Sequence, residues 1–477
     1  WLKSFGGPRI GGGEGAALDV TAGMRSFTQF TILVGVAVAH LENDGSLAGT
    51  EFGNEALRVA RSPQTVMRLH MMRDKGLKGM GAVCLDGTDA GFYFAPASNE
   101  ADSKNWQIYF QGGGWCYDEI DCWGRSSTNL GSSAHWSEAA AGGGIMSDDC
   151  SVNPDFCNFN RVFLIYCDGF SFAGDRSEPL VVTGVDGKKK PLYFRGKRII
   201  DATLQTLLGM GLDRAEQVLL TGCSAGGLAT YLHTDYVRST LEAAHVPLTK
   251  FKSVPMSGFF MAHDNVEGKP VYVEEMKNAF AMANATGGLN GKCVAAHPQE
   301  LWKCSFAAGA YEYTEAPIFP INSALDSWQT GCIFTSRLAP GFPHEKTPNH
   351  GRCAAVPGWG ACSNDPERCT PEQIRIDNQY IMDLQGDMTR PKTWWKEGNG
   401  AFIHSCHTHC EANYNHPWTT FAVKNVTMQK AVSKWWTSES TTAYAHSYMD
   451  CLYNAEVKPH ACNPTCGVHS APYEVVV

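Results

Sequence analysis

A serine set between two glycines is the feature of this sequence best suited to chemistry. Ser224 lies in Gly222-Cys-Ser-Ala-Gly226, after the apolar run Val218–Thr221 and before a helical pattern over residues 225–241. A sharp strand-to-helix turn needs glycines here because a Cβ would clash, and the turn exposes the hydroxyl above the sheet edge. The helix N-terminus also favours developing negative charge. We predict that Ser224 is a nucleophile; a purely structural turn is the alternative.

A second glycine-rich segment is predicted to supply backbone donors for an oxyanion. The apolar run Gln107–Phe110 leads into Gly112-Gly-Gly-Trp115, about 110 residues before Ser224. Enzymes with a nucleophile at such a turn take one N–H from the residue after it and another from an earlier glycine loop. The predicted oxyanion donors are Gly114, Trp115 and Ala225, and the predicted substrate contacts are Trp115 and Gly113. A P-loop is excluded because no Gly-Lys-Ser/Thr follows.

A carboxylate and an imidazole are expected downstream, because hydrolases with this turn carry Ser, then Asp or Glu, then His. Asp326 follows the apolar run Ile318–Ile321, so it can reach a base from the sheet edge. Nine histidines follow it, and the order leaves the base open. Three of them cluster in one segment: His404, His407 and His409. A metal site formed by these three is the alternative, but it leaves Ser224 without a role.

Strands that alternate with helices must position these residues. Apolar runs at 107–110, 162–166, 218–221 and 318–321 alternate with helical patterns at 198–210, 225–241 and 274–283. This alternation predicts an α/β fold with a mostly parallel sheet flanked by helices, and the turn at Ser224 makes it α/β-hydrolase-like. Pro317 and Pro320 weaken the last run as a central strand. The Pro-, Gly- and Cys-rich residues 340–370 are interpreted as an ordered excursion.

Composition narrows the class of protein. Of 477 residues, 43% are hydrophobic and 18% are charged, which is typical of a globular chain with a large core. The 39 basic and 48 acidic residues give a net charge of −9. We therefore expect neither nucleic acid nor an anionic membrane as a partner. No apolar stretch reaches the length of a membrane span, and we expect a monomer.

The 18 cysteines indicate an oxidising compartment and disulfide-rich loops. They cluster as Cys116/Cys122, Cys150/Cys157, Cys353/Cys362/Cys369 and Cys451/Cys462/Cys466. Zinc binding is the alternative, although Cys-x2-Cys pairs are absent. A disulfide at Cys410 would anchor the loop that carries the neighbouring imidazole. Glycosylation sequons at Asn284 and Asn425 agree with secretion.

The N-terminal region is interpreted as a secretory leader. Met24-Arg25 precedes the apolar run Phe27–Ala39, which ends in a small-x-small cleavage pattern. An internal buried strand is the alternative. The predicted organisation is residues 1–23 outside the native translation product, a signal peptide at 24–39, a flexible leader at 40–65, a single catalytic domain at 66–466 and a tail at 467–477. We therefore expect a secreted, extracellular protein.

With these segments in place, the sequence resembles the pectin acetylesterase/Notum family of secreted serine esterases over most of residues 66–466. The matching segments are Gly81-Ala-Val-Cys-Leu-Asp-Gly87, Gly112-Gly-Gly-Trp-Cys116, Tyr166-Cys-Asp-Gly169, Arg195-Gly, Gly222-Cys-Ser-Ala-Gly-Gly227, Thr286-Gly-Gly-Leu-Asn290, Asp326-Ser-Trp-Gln329, Ser405-Cys-x-x-His-Cys410 and Cys462-Asn-Pro-Thr-Cys466. The resemblance implies that Ser224 is the nucleophile, Asp326 the acid and His409 the base. We expect no cofactor and no metal.

Some positions depart from the family pattern. His407 stands where plant-type members usually carry an aromatic residue, and Gln111 stands where an acidic residue is usual. The cysteines at 353, 362 and 369 have no place in that pattern. None of these departures falls on the three implied catalytic residues.

The resemblance implies hydrolysis of a carboxylic ester through an acyl-enzyme. We expect the substrate to be O-acetyl esters of pectin or a related cell-wall polysaccharide, because the glycine loop and the segment 462–466 are more similar to the polysaccharide branch. One alternative is a Notum-like deacylase that removes a fatty acyl chain from a secreted protein. Another is a catalytically idle homologue that binds glycans.

Overall fold

Parallel strands form the centre of the fold in the computed structural model, which describes residues 66–72, 78–338, 342, 353–438, 446–450 and 462–466. The strands are β1 Met67–Met71, β2 Gly91–Ala95, β3 Asn105–Phe110, β4 Ala139–Ala140, β5 Asn160–Leu164, β6 Leu180–Thr183, β7 Lys189–Leu192, β8 Gln217–Cys223, β9 Lys250–Met256, β10 Ile321–Ser323, β11 Ala401–His404, β12 Ala422–Val423, β13 Val426–Thr427 and β14 Ser447–Met449. The predicted segments at residues 1–23, 24–39, 40–65 and 467–477 lie outside the described residues.

Helices cover the sheet between these strands. They are α1 Glu119–Arg125, α2 Gly196–Leu208, α3 Ala225–Ala243, α4 Val271–Ala283, α5 Gly291–Ala296, α6 Ala307–Glu312, α7 Ser327–Gln329, α8 Gly360–Asn364, α9 Pro371–Thr389, α10 Asn415–Thr420 and α11 Met428–Thr437. None of these described helices is both long and apolar enough to cross a membrane. The three predicted helical patterns correspond to α2, α3 and α4.

Within the described ranges, the main sheet has ten strands in the order β14-β11-β10-β9-β8-β3-β5-β2-β1-β4. The strands from β14 to β5 pair in parallel, whereas β2, β1 and β4 are antiparallel at one edge. This confirms the predicted mostly parallel sheet. Central strands of such a sheet are covered on both faces, and Val218, Leu219 and Leu220 of β8 are fully buried.

The register of β3 and β8 places two predicted functional segments side by side. The ladder runs from Asn105 opposite Gln217 to Phe110 opposite Gly222. Because parallel strands end at the same sheet edge, the glycine loop after Phe110 emerges beside the turn that carries Ser224.

The fourth predicted strand is displaced along the chain. The run 318–321 was expected to form it, but Ile318 makes only an isolated bridge with Ser253, and β10 begins at Ile321. Pro317 and Pro320 cannot donate to a ladder, so regular pairing begins after the second proline.

Disulfides fasten the loops around the sheet. The bonded pairs are Cys84–Cys167, Cys116–Cys122, Cys150–Cys157, Cys223–Cys410, Cys293–Cys304, Cys332–Cys353, Cys362–Cys369 and Cys406–Cys466. The predicted disulfide at Cys410 is therefore present. The described part of the 340–370 excursion holds one short disulfide of its own, and another ties Cys353 back to the turn after α7.

Candidate active site

Ser224 occupies the turn between β8 and α3 in a conformation rare for a non-glycine residue. Its φ is 60° and its ψ is −129°. A Cβ on Gly222 would lie 2.4 Å from the Gly226 carbonyl oxygen, and a Cβ on Gly226 would lie 2.0 Å from that of Phe110. Both flanking glycines are therefore required by the close approach of backbone, as the sequence predicted.

The glycine loop after β3 runs directly against the nucleophile turn. A Cβ on Gly112 would lie 2.4 Å from the Cys223 carbonyl oxygen and 2.8 Å from the Ser224 Cβ. Gly113 and Gly114 have positive φ values of 134° and 64°. The loop thus reaches Ser224 in a backbone conformation that side chains rarely adopt.

Three backbone N–H groups are available at this junction. The N–H of Ser224 donates to the Met256 carbonyl oxygen at 3.1 Å and is therefore occupied. The N–H groups of Gly114, Trp115 and Ala225 donate no hydrogen bond to any described residue. They are the three groups that the sequence predicted as oxyanion donors, and unpaired donors beside a nucleophile suit that role.

Ser171 links the two sides of this junction. The buried Trp115 indole Nε1–H donates to Ser171 Oγ at 2.7 Å, and that hydroxyl donates to the Ala225 carbonyl oxygen at 2.8 Å. The chain of hydrogen bonds joins the glycine loop to the first residue of α3. Sequence reasoning missed Ser171, which has a φ of 44° and no motif to mark it.

Asp326 and His409 are in direct contact. Asp326 Oδ2 lies 2.8 Å from His409 Nδ1, and Oδ1 accepts the N–H groups of Trp328 and Gln329, both at 3.0 Å. Asp326 is fully buried at the N-cap of α7. Its carboxylate is therefore held by backbone donors while it fixes the tautomer of the imidazole.

The second imidazole nitrogen is left without a partner. His409 Nε2 is buried and makes no hydrogen bond to any described residue, so no such bond joins it to Ser224. Burial lowers the pKa of His409, but the charge and hydrogen bond of Asp326, with the charge of Glu411, raise it above the ordinary value. The imidazole of His409 therefore has Nδ1 bonded to Asp326 and Nε2 without a hydrogen bond to a described residue.

The other two clustered histidines have different surroundings. His404 Nε2 lies 2.7 Å from Glu411 Oε1, and His407 Nε2 lies 3.2 Å from Thr330 Oγ1. In the described part of the chain, the group of potential ligand atoms close enough for a metal is Cys362, Cys369 and Asp377, whose cysteines form a disulfide. The three histidines therefore do not converge on one point.

Aromatic rings line one side of the imidazole. Trp115 and Phe260 are buried, with ring centroids 4.9 Å apart, and Trp328 lies 5.1 Å from Phe260 and 5.5 Å from Trp115. Phe260 and Trp328 lie 6.2 and 6.3 Å from the ring of His409. We call Trp115, Phe260 and Trp328 the aromatic wall.

Comparisons with known proteins agree with these observations. The family model described as pectinacetylesterase matches residues 60–467. Pectin acetylesterase 5 of Arabidopsis thaliana is 32% identical over 412 residues, which cover 85% of this chain and 86% of that protein. Pectin acetylesterase 11 of the same plant is 32% identical over 389 residues, covering 81% and 89%.

Relatives of lower sequence identity are named for a different activity. The human palmitoleoyl-protein carboxylesterase NOTUM is 25% identical over 417 residues, which cover 84% of this chain and 73% of that protein. The solved structure of the Wnt deacylase Notum from Drosophila superposes with a TM-score of 0.64 at 21% identity, covering 84% of this chain and all of that one. This likeness shows a shared fold.

Proposed function

This chain belongs to the pectin acetylesterase family of carboxylic ester hydrolases, and from that premise we propose that it removes O-acetyl groups from pectin or a related polysaccharide through Ser224, His409 and Asp326. The contact between Asp326 and His409, at the same sheet edge as the turn of Ser224, carries the proposal. The abundant disulfides support action outside the cell. We also propose that the protein acts as a monomer.

The first half of the reaction acylates the serine. His409 Nε2 takes the hydroxyl proton of Ser224 as Oγ attacks the ester carbonyl carbon, and Asp326 stabilises the resulting imidazolium. The N–H groups of Gly114, Trp115 and Ala225 stabilise the oxyanion. Collapse of the tetrahedral intermediate breaks the bond to the sugar oxygen, which leaves as an alcohol with the proton from His409.

The second half releases the acid. Water approaches the acyl-enzyme, and His409 Nε2 removes one of its protons as its oxygen attacks the acyl carbon. The same backbone donors stabilise the second oxyanion. The bond to Ser224 Oγ then breaks, the serine regains its proton from the imidazole, and the carboxylic acid leaves.

The aromatic wall supports a short acyl group. Its rings contact one another edge to face beside His409, and Phe260 has no exposed surface. A fatty acyl chain needs a deep apolar cavity, and rings packed against one another occupy the volume that such a cavity would need on this side of the imidazole. This packing favours an acetyl ester over a lipid ester on that side of the imidazole.

Acetate release from acetylated pectin, together with hydrolysis of p-nitrophenyl acetate and octanoate, tests the proposal. We expect Ser224→Ala to abolish all ester hydrolysis in a folded protein. The matched control is Ser239→Ala, at an exposed serine of α3, the helix that follows Ser224. This variant should retain full activity.

Each outcome of this experiment has a defined meaning. Ser224-dependent acetate release confirms the nucleophile and the polysaccharide substrate. Ser224-dependent cleavage of octanoate with pectin untouched keeps the serine nucleophile and moves the substrate to a fatty acyl ester, the class of substrate for which human NOTUM is named. Full activity in folded Ser224→Ala contradicts the mechanism, and inactivity of the native protein favours glycan binding alone.

A further inference from the structure

A second buried pair of imidazole and carboxylate lies beside the triad and has no role in the steps above. His404 Nε2 and Glu411 Oε1 are 2.7 Å apart, and neither side chain has exposed surface. His404 ends β11, and Glu411 follows Cys410, two residues after His409. A carboxylate charge in a fully buried position is costly to maintain unless hydrogen bonds satisfy it.

Hydrogen bonding defines where the charge of this pair lies. The backbone N–H of Cys406 donates to His404 Nδ1 at 3.2 Å, so this nitrogen carries no proton. The ring proton is therefore on Nε2, which donates to Glu411. A neutral imidazole beside an ionised carboxylate leaves one negative charge on Glu411.

Glu411 is also joined to the backbone of the loop that carries His409. Ser257 Oγ accepts the N–H of Cys410 at 3.0 Å and donates to Glu411 Oε2 at 3.4 Å. The backbone N–H of Ser257 donates to the carbonyl oxygen of Ile321, at the start of β10, at 2.8 Å. The loop is thus hydrogen-bonded through one hydroxyl to both the carboxylate and the sheet.

We propose that Glu411, with His404 and Ser257, is a positioning residue for His409: it fixes the imidazole loop and places a second buried negative charge beside the ring. This inference rests on the role of His409 in the proposed function. It assigns a task to residues that never touch the reacting atoms.

The ionisable groups around the imidazole come from several elements. The charges of Asp326 and Glu411 act on His409, the charge of Glu411 acts on His404, and so does the charge of Asp450 after β14. Burial opposes the charged form of His409, and the two carboxylates together raise its pKa. Removing the charge of Glu411 alone should therefore lower that pKa while Asp326 still holds the tautomer.

The pH dependence of kcat/KM in Glu411→Gln tests the charge. Glutamine keeps the size of the side chain and an acceptor for His404, so the loss is mainly electrostatic. We expect the acidic limb to move to lower pH, so that the ratio of kcat/KM at pH 5 to its plateau rises about threefold or more. Glu372→Gln, at an exposed glutamate of α9, should keep the wild-type profile.

Ser257→Ala tests the mechanical link and removes no charge. We expect kcat to fall about tenfold with KM and the acidic limb unchanged, because the imidazole loop loses its anchor. If Glu411→Gln fails to fold, the kcat of Ser257→Ala still tests whether these contacts position His409. A wild-type limb in folded Glu411→Gln, or a wild-type kcat in Ser257→Ala, overturns the inference. Either result leaves the proposed function standing, because Ser224→Ala and Asp326→Asn test the nucleophile and the acid separately.

Discussion

Cys223 and Cys410 are joined by a disulfide that connects the residue before Ser224 to the residue after His409, across 187 positions of the chain. The two loops leave β8 and β11, which are separated in the sheet by β9 and β10. The hydrogen bonds of the sheet therefore connect the two loops only indirectly, because β9 and β10 lie between them. The disulfide sets it directly, with Cα atoms 5.7 Å apart.

Removing this disulfide should impair catalysis as well as stability. We expect the double variant Cys223→Ala/Cys410→Ala to lose about 2–5 kcal/mol in free energy of unfolding, as for other long-loop disulfides. We also expect kcat to fall at a temperature where the protein remains folded, because the imidazole loop is no longer fastened to the nucleophile turn. Denaturant unfolding and ester hydrolysis measure the two effects. Cys150→Ala/Cys157→Ala, which opens a bond across seven residues, should keep the wild-type kcat; an equal loss there contradicts the prediction.

Ser171→Ala should impair the oxyanion site indirectly, through the residues that supply its backbone donors. The substitution removes the acceptor of the buried Trp115 indole and the hydroxyl that holds the Ala225 carbonyl. An orphaned buried donor costs about 1–3 kcal/mol, and we expect kcat to fall with little change in KM because the donors are used most in the transition state. Steady-state kinetics on p-nitrophenyl acetate measure this. Ser305→Ala, at a buried serine bonded to the Trp302 carbonyl, is the control and should leave kcat unchanged.

Asp326→Asn should nearly abolish activity without unfolding the protein. The amide cannot hold the imidazole tautomer, a change that typically costs about 10⁴ in kcat. In the native enzyme, activity should fall as the pH drops through the pKa of His409, which lies above the ordinary histidine value of 6.5, since a protonated Nε2 cannot act as a base. A pH–rate profile measures the limb. As a control, Asp383→Asn breaks a surface pair with His263 and should change neither the activity nor the pH of the acidic limb. An acidic limb below pH 6 argues against His409 as the base.

The residues that sequence reasoning could identify are those whose local conformation demands a residue type. The turn at Ser224 requires glycines because backbone atoms approach within 2.0–2.4 Å of the missing Cβ atoms. The glycine loop and the acid at the end of a strand carry similar local signals. Asp326 and the two glycine segments can therefore be proposed from the sequence alone.

Residues that act through distant contacts left no such signal. Ser171 bonds to Trp115 across 56 positions, and Ser257 bonds to Cys410 across 153. Both serines have positive φ values, 44° and 43°, where glycine would have marked the turn. Which of three clustered histidines meets Asp326 likewise depends on the path of the loop after β11, which spacing does not determine.

Gly226→Ala should prevent correct folding of the nucleophile turn. The added Cβ would lie 2.0 Å from the Phe110 carbonyl oxygen, and backbone at this contact cannot move without separating β3 from β8. We expect loss of secreted, folded protein or a large fall in melting temperature together with activity. Gly291→Ala, where the new Cβ would meet no atom within 4 Å outside its own helix and chain neighbours, should be neutral or slightly stabilising, because alanine favours the first turn of α5. A fully active Gly226→Ala enzyme would refute the requirement.

Glu275 should make the stability of the protein fall as pH rises. Burial raises the pKa of this α4 carboxyl to about 8, with the charges of Asp121 and Asp118 adding to the effect. Between the unfolded value of about 4.5 and pH 8, the native state holds a proton that the unfolded chain releases, so the free energy of unfolding decreases with increasing pH. Glu275→Gln removes this dependence, and its melting temperature should exceed that of the wild type by a margin that grows from pH 5 to pH 8.5. Glu274→Gln, at the exposed neighbouring position, should show no such growth, and a constant margin for Glu275→Gln would contradict the assignment.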